Sequence, residues 1–285
     1  MRVAHITDTH LLESDHHLRS GRHRFRMNFL SFGREKDAAD RRYRLLRAMC
    51  QAVDAGADHI VMTGDMTEDG LPSQFESLAD VLHESSISPD RITLVPGNHD
   101  LYTDDHAWNL ALSGPLSPWA PTSQLGSLVI RGDLAVLPIS TTFKQPYLFA
   151  GGRLGPFNAR RIAWAGKQAR ELGCALVVGL HHQVFPHPVA VGTWWDGLRD
   201  HGVLTDLLRR NPELFVFHGH IHKEVTRAVP PHRHPQVFCA RATVDSNVLY
   251  RLYDVSDRQV VPLTTERARV PVPASTDREF AIAAE

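Results

Sequence analysis

The chain has 285 residues, 42% hydrophobic and 22% charged, with a net charge of -1, an ordinary globular composition able to bury a substantial core. That charge balance argues against a general nucleic-acid binder, which needs clustered Lys and Arg to neutralise phosphates. The cysteines, Cys50, Cys174 and Cys239, are odd in number and far apart, which argues against a disulfide framework and for a reducing compartment.

Residues 2 to 7 (RVAHIT) predict a strand almost at the first residue, with no basic and then apolar leader before it. No apolar run reaches the roughly 18 residues of a membrane span, so a soluble, cytoplasmic protein is expected. Residues 59 to 63, 91 to 95, 174 to 180 and 214 to 217 are further short apolar runs of buried-strand type. Helical stripes lie between them. In 41 to 54 the stripe is Leu45, Leu46, Met49 and Val53, with Gly56 as a stop. In 73 to 84 it is Phe75, Leu78, Ala79 and Leu82, opened by Pro72 and a Ser73/Glu76 capping box. Residues 158 to 172 and 197 to 210 predict two more helices. Residues 128 to 139 predict a hairpin turning at Gly132/Asp133, and 236 to 240 and 247 to 254 predict late strands near a sheet edge. The alternation implies an α/β layer architecture. A single domain over 1 to 266 is expected, carrying an insertion at 11 to 40. Residues 267 to 285 lose periodicity and are expected to form a mobile tail.

Metal-binding residue types recur where the apolar runs end. Parallel strands of such a sheet end on one face, so these loops share a crevice. Asp8 and His10, two apart, can direct both side chains to one side of an extended segment; taken alone, the triplet reads first as a polar loop after a strand. Gly64 and Asp65 offer a carboxylate able to bridge two cations after a residue that permits a sharp turn, or simply an Asp turn. Glu68 and Asp69 read as turn and helix-entry residues. VPGNHD is more specific: Asn98 supplies a neutral amide oxygen, His99 can address a phosphoryl group, and Asp100 can orient that imidazole. His181 is either a satisfied core histidine or a ligand. In HGHIH, His218, His220 and His222 alternate beside Gly219, and clustered histidines without nearby cysteines suggest an imidazole and carboxylate site of the Mn, Fe or Zn type.

Together, DTH, GD, GNHD, HH and GHIH, in that order and at strand ends, resemble the calcineurin-like metallophosphoesterase superfamily, in particular its compact bacterial phosphodiesterase branch. The resemblance spans Asp8 to His222 and implies two mixed β-sheets packed as a sandwich and flanked by helices. It implies that Asp8, His10 and His222 hold one metal, that Asp65 bridges, and that Asn98, His181 and His220 hold the second, the ions being divalent or trivalent Mn, Fe or Zn. His99 would then face the substrate. The chain departs from the pattern at His182-Gln183, where relatives often have proline after the second histidine. Two cations about 3.5 to 4 Å apart would acidify a bridging water for in-line attack on phosphorus, with His99 stabilising charge or protonating the leaving oxygen.

The expected substrate is a small phosphodiester, a cyclic nucleotide first. Alternatives are a nucleotide-sugar lipid pyrophosphate of the UDP-2,3-diacylglucosamine type, a glycerophosphodiester, or a metal-dependent binding module without catalysis. Residues 11 to 40, with Arg19, Arg22, Arg24 and Arg26 among Met27, Phe29, Leu30 and Phe32, form either a packed cap or a lid whose arginines attract an anion, Arg22 being the candidate contact, or whose apolar residues touch lipid. Residues 183 to 196 offer a second pocket wall. There Trp194 could stack a base, with one of Trp194 and Trp195 expected in the core, and His187 could reach substrate.

Overall fold

The computed structural model describes residues 1 to 263; the tail expected at 267 to 285 lies outside them. In chain order the strands are β1 (Arg2–Ile6), β2 (His59–Thr63), β3 (Ile92–Val95), β4 (Val129–Arg131), β5 (Leu134–Pro138), β6 (Ala175–Gly179), β7 (Leu214–His218), β8 (Val225–Arg227), β9 (Val237–Cys239), β10 (Arg251–Ser256) and β11 (Gln259–Pro262). The helices are α1 (Gly21–Leu30), α2 (Ala38–Asp54), α3 (Pro72–Glu84), α4 (Ala107–Ser113), α5 (Ala120–Ser123), α6 (Gly155–Glu171), α7 (Ala190–Asp196) and α8 (His201–Arg210).

Two mixed sheets stack face to face. One is ordered β11-β10-β1-β2-β3, the other β4-β5-β6-β7-β9-β8. Strands β1, β2 and β3 are parallel, as are β5, β6, β7 and β9, while β10, β11, β4 and β8 close the sheets as antiparallel neighbours. The parallel strands are short and apolar because both faces are covered. Val3, Val61, Val136, Val177, Phe217 and Tyr253 fill the space between the sheets. The opposite face of the first sheet buries Leu45, Met49, Phe75, Leu78 and Trp108 from α2, α3 and α4, and that of the second buries Ile162, Leu204 and Leu208 from α6 and α8. This is the sandwich with flanking helices that the resemblance implies.

Three local expectations need correction. The helix expected over 197 to 210 starts later, as α8 at His201, and a separate helix, α7, precedes it; between them Asp200 accepts hydrogen bonds from the backbone N–H groups of Leu154 (2.7 Å) and Gly155 (2.8 Å), tying this connection to the start of α6. The α3 entry uses Pro72 as expected, but not Ser73/Glu76. Gln74 folds back instead, accepting from the N–H of Asp69 (3.1 Å) and Leu71 (3.4 Å). Trp194 and Trp195 lie on α7, where successive side chains are about 100° apart, and neither is core; they are 51% and 47% exposed.

Residues 11 to 37 form a cap. Its private core is small, Leu12 and Met27 against Ala38 of α2. Arg19 and Arg26 fasten it instead, both reaching the buried Asp69 carboxylate, with Arg19 also bonded to Glu13. Leu18, Phe25 and Phe32 face outward, and Phe29 meets Tyr147 edge on at 5.5 Å.

Candidate metal centre

The backbone at the strand ends is unusual before any side chain is considered. Among the described residues, eight that are not glycine have positive φ, and five of them are Asp8 (54°), His10 (47°), Asp65 (50°), His220 (74°) and His222 (55°). Left-handed backbone costs such residues free energy and persists only where the surroundings enforce it. Here the loops hold one another: Asp8 N–H donates to Gly64 O, His10 N–H to Asp65 O, and Gly219 N–H to His181 O. The approach is close enough that a Cβ at Gly97 would overlap the Asp65 carboxylate and one at Gly219 would overlap Thr7 Oγ1 and Asp8.

These loops bring the seven expected ligands together. Ligand atoms of Asp8, His10 and His222 lie within 4.8 Å of one another, as do those of Asp65, His181 and His220. Asp65 Oδ2 sits between the groups, 3.2 Å from His181 Nε2 and 3.9 Å from His10 Nε2. Asn98 Oδ1 is 3.0 Å from His181 Nε2, and its amide nitrogen donates to Tyr102 Oη at 2.7 Å, which turns the oxygen toward the cluster.

The imidazoles are aimed by groups outside the cluster. His181 Nδ1 engages Thr63 O at 2.9 Å, leaving Nε2 to the site. His220 Nε2 is held by the carbonyl (2.7 Å) and carboxylate (3.0 Å) of Asp196, and His222 Nδ1 by Asp245 Oδ2 at 2.9 Å. Such outer partners fix the ring and its tautomer so that the other nitrogen presents a lone pair. Asp196 and Asp245 were not singled out in the sequence. The signal was thin: each is a single carboxylate, Asp196 at the end of α7 and Asp245 in a turn, brought in from 24 and 23 residues away.

His99 lies beside the cluster, held by a partner other than the expected Asp100. Its Nδ1 is bonded to Glu68 O at 2.6 Å, and its Nε2 faces Asp65 Oδ2 at 3.9 Å. Asp100 does not orient it, because successive residues of this tight turn diverge. The Asp100 carboxylate accepts from Gly97 N (2.8 Å), Thr67 N (2.8 Å) and Thr67 Oγ1 (2.7 Å), tying the Asn98 loop to the Asp65 loop. Glu68 and Asp69, read as turn residues, are buried charges. Glu68 binds Arg34 (2.8 Å) and Arg41 (2.5 Å) and stands 3.7 Å from His10 Nδ1.

The electrostatics suit cations. Burial raises the Asp100 carboxyl to about 6, with the Asp65 charge adding to it. Burial also opposes the Asp65 charge, but His181 and His99 prevail and hold that carboxyl well below the usual range. His181 is raised to about 9 despite burial, by Asp65. His10 is depressed by burial and by Arg34, and His99 is depressed by burial against the pull of Asp65. Two buried carboxylates, four imidazoles and an amide oxygen converging on two points fit a pair of transition-metal ions.

The other expected contacts lie apart from this cluster. Arg22 is exposed on α1 and makes no side-chain hydrogen bond or ion pair among the described residues. His187 and Trp194 line an open cavity of about 420 Å³ with Pro186, Thr193, Arg199 and His201. This cavity adjoins the site through α7, whose last residue, Asp196, holds His220.

The family model of the calcineurin-like phosphoesterases matches residues 1 to 224. A probable cyclic nucleotide phosphodiesterase of Rhodococcus erythropolis is 24% identical over 228 residues, 79% of this chain and 65% of that one. A cAMP/cGMP dual specificity phosphodiesterase of Mycobacterium tuberculosis is 24% identical over 222 residues, 77% and 61% of the two chains. The chain thus spans somewhat under two thirds of the length of these two relatives. A 3',5'-cyclic-nucleotide phosphodiesterase of Nostoc is 25% identical over 231 residues, 79% of this chain and 73% of that one. Among solved structures, a dimetal phosphatase from Danio rerio superposes with a TM-score of 0.62 at 13% identity, covering 89% of this chain and 92% of that one, which shows a shared fold. With the family match running from the first strand through His222, the chain belongs to the calcineurin-like phosphoesterase family.

Proposed function

We propose that the protein is a two-metal phosphodiesterase acting on a small phosphodiester, with a cyclic nucleotide as the first candidate. The observation that carries this reading is Asp65, whose Oδ2 lies between two groups of imidazole and carboxylate atoms. The names of the three relatives support the diester and the cyclic nucleotide. On this reading Asp8, His10 and His222 hold one ion, Asn98, His181 and His220 the other, and Asp65 both. Bound there, Mn, Fe or Zn ions would supply positive charge against the phosphoryl oxygens and a source of hydroxide at neutral pH.

The chain's own contribution is positioning and proton control. His99 has its Nδ1–H committed to Glu68 O, so Nε2 is the atom that meets the substrate, stabilising charge on phosphorus or carrying the proton to the leaving oxygen. Asp100 acts indirectly by clamping the two loops that carry Asp65 and His99. Trp194 and His187, in the cavity beside α7, are suited to the part of the substrate away from phosphorus. The free cysteines accord with the cytoplasm as the place of action.

The test is hydrolysis by Mn-loaded protein of bis(p-nitrophenyl) phosphate against p-nitrophenyl phosphate, followed by cyclic nucleotides, glycerophosphodiesters and UDP-diacylglucosamine. Preference for the diester and turnover of a cyclic nucleotide are expected. Turnover of the lipid pyrophosphate alone would move the assignment there, and two bound metals without hydrolysis of any ester would make the protein a binding module.

A further inference from the structure

The cap sends one cation into the ligand cluster. Arg34 follows Gly33 just after α1, and its side chain is 12% exposed. Its Nη2 donates to Leu30 O (2.6 Å) and Glu68 Oε1 (2.8 Å), which tethers the guanidinium, while Nη1 lies 2.8 Å from His10 Nε2. Its Nε–H is buried without a partner. Among the described residues, no other arginine hydrogen-bonds an imidazole of the cluster.

A purely structural role accounts poorly for this placement. Glu68 is already paired with Arg41, whose Nη1 sits 2.5 Å from Oε2, so Arg34 adds a second guanidinium to one carboxylate, with Nη1 turned to the site. Nor can the Nη1 contact coexist with coordination by His10. The Nε2 lone pair can accept from Nη1 or bind a cation, and a guanidinium has donors only. Once His10 coordinates, Nη1 becomes a charged donor beside the first-metal group, still tethered through Nη2. An anion there restores its hydrogen bond.

We infer that Arg34 is a substrate-binding residue, delivered by the cap, that takes a non-bridging oxygen of the substrate phosphate at the His10 edge of the site. This rests on the phosphodiesterase reading and adds to it a residue outside the metal-binding loops. It also divides the cap's arginines: Arg19 and Arg26 are structural, and Arg34 meets the anion.

The test uses metal-loaded full-length protein, wild type with Arg34→Gln and Arg34→Lys, titrated calorimetrically with inorganic phosphate and assayed for KM and kcat on a diester. For Arg34→Gln, phosphate affinity should fall and KM rise by about tenfold or more, the worth of one charge-assisted hydrogen bond, with kcat within a few fold. Arg34→Lys should lie between, and metal content should match wild type. Unchanged phosphate affinity and KM in the Gln variant would overturn the inference. Loss of bound metal or of the fold in both variants would also overturn it, by assigning Arg34 to structure alone. If wild type loads metal, binds phosphate and hydrolyses no diester, the phosphodiesterase reading fails while the phosphate titration still decides Arg34.

Discussion

The site has two walls built on different principles. The strand-end loops are held by the sheets beneath them: their backbones interlock, five of their residues sit in left-handed conformations, and His181, His220 and His222 are each held at the ring nitrogen turned away from the cluster. The cap has only a few apolar residues of its own at its core and is pinned by arginines on two buried carboxylates, Glu68 and Asp69. The first wall is suited to holding ions in a fixed geometry. The second hangs on a few buried ion pairs instead of on a large apolar core.

Substitutions can break or sharpen this contrast. Asp65→Ala removes the carboxylate shared by both groups, and elemental analysis should find neither metal while kcat falls by at least about a thousandfold. Retention of one tightly held ion would show that the two groups are more independent than the geometry implies. His99→Ala should keep both metals and lose about a hundredfold or more in kcat, as expected for a positioned acid or charge stabiliser; unchanged turnover would remove His99 from the reaction. Asp245→Asn and Asp196→Asn disturb only the aim of His222 and His220, and each should weaken metal affinity about ten- to a hundredfold in a chelator competition. The smallest effect on the metals is expected from Asp69→Asn, which weakens the anchor of Arg19 and Arg26. Metal content should stay at the wild-type level while proteolysis within residues 14 to 36 accelerates. Metal loss in that variant would mean that the cap and the loops are one cooperative unit.

The two walls were also unequally legible. Apolar runs ending in Asp, Asn or His gave the strand ends and the candidate ligands because side-chain identity carries that information. What orients those ligands was hidden wherever the partner is a backbone carbonyl, as with Thr63 for His181 and Glu68 for His99, since any residue type supplies one. The Asp100 assignment went astray for the same reason, because adjacency in sequence says little about direction in a tight turn. In the cap, composition revealed an arginine-rich segment but not which arginines face inward. Arg22, chosen from the sequence, is solvated, whereas Arg34 reaches His10. The late start of α8 was hidden because Asp200, just before it, binds a helix start far away in the chain.

The left-handed backbone at Asp8, His10, Asp65, His220 and His222 has a consequence for how such a chain would change if its chemistry were no longer needed. Glycine and asparagine are the residues most at ease there, so replacement by either should relieve strain as it destroys the centre. A population propagated under selection for thermal robustness alone should therefore accumulate Gly and Asn at these five positions and keep its apolar strands. That pattern would mark retired copies of the protein, and it would set the thermodynamic debt carried by the working one.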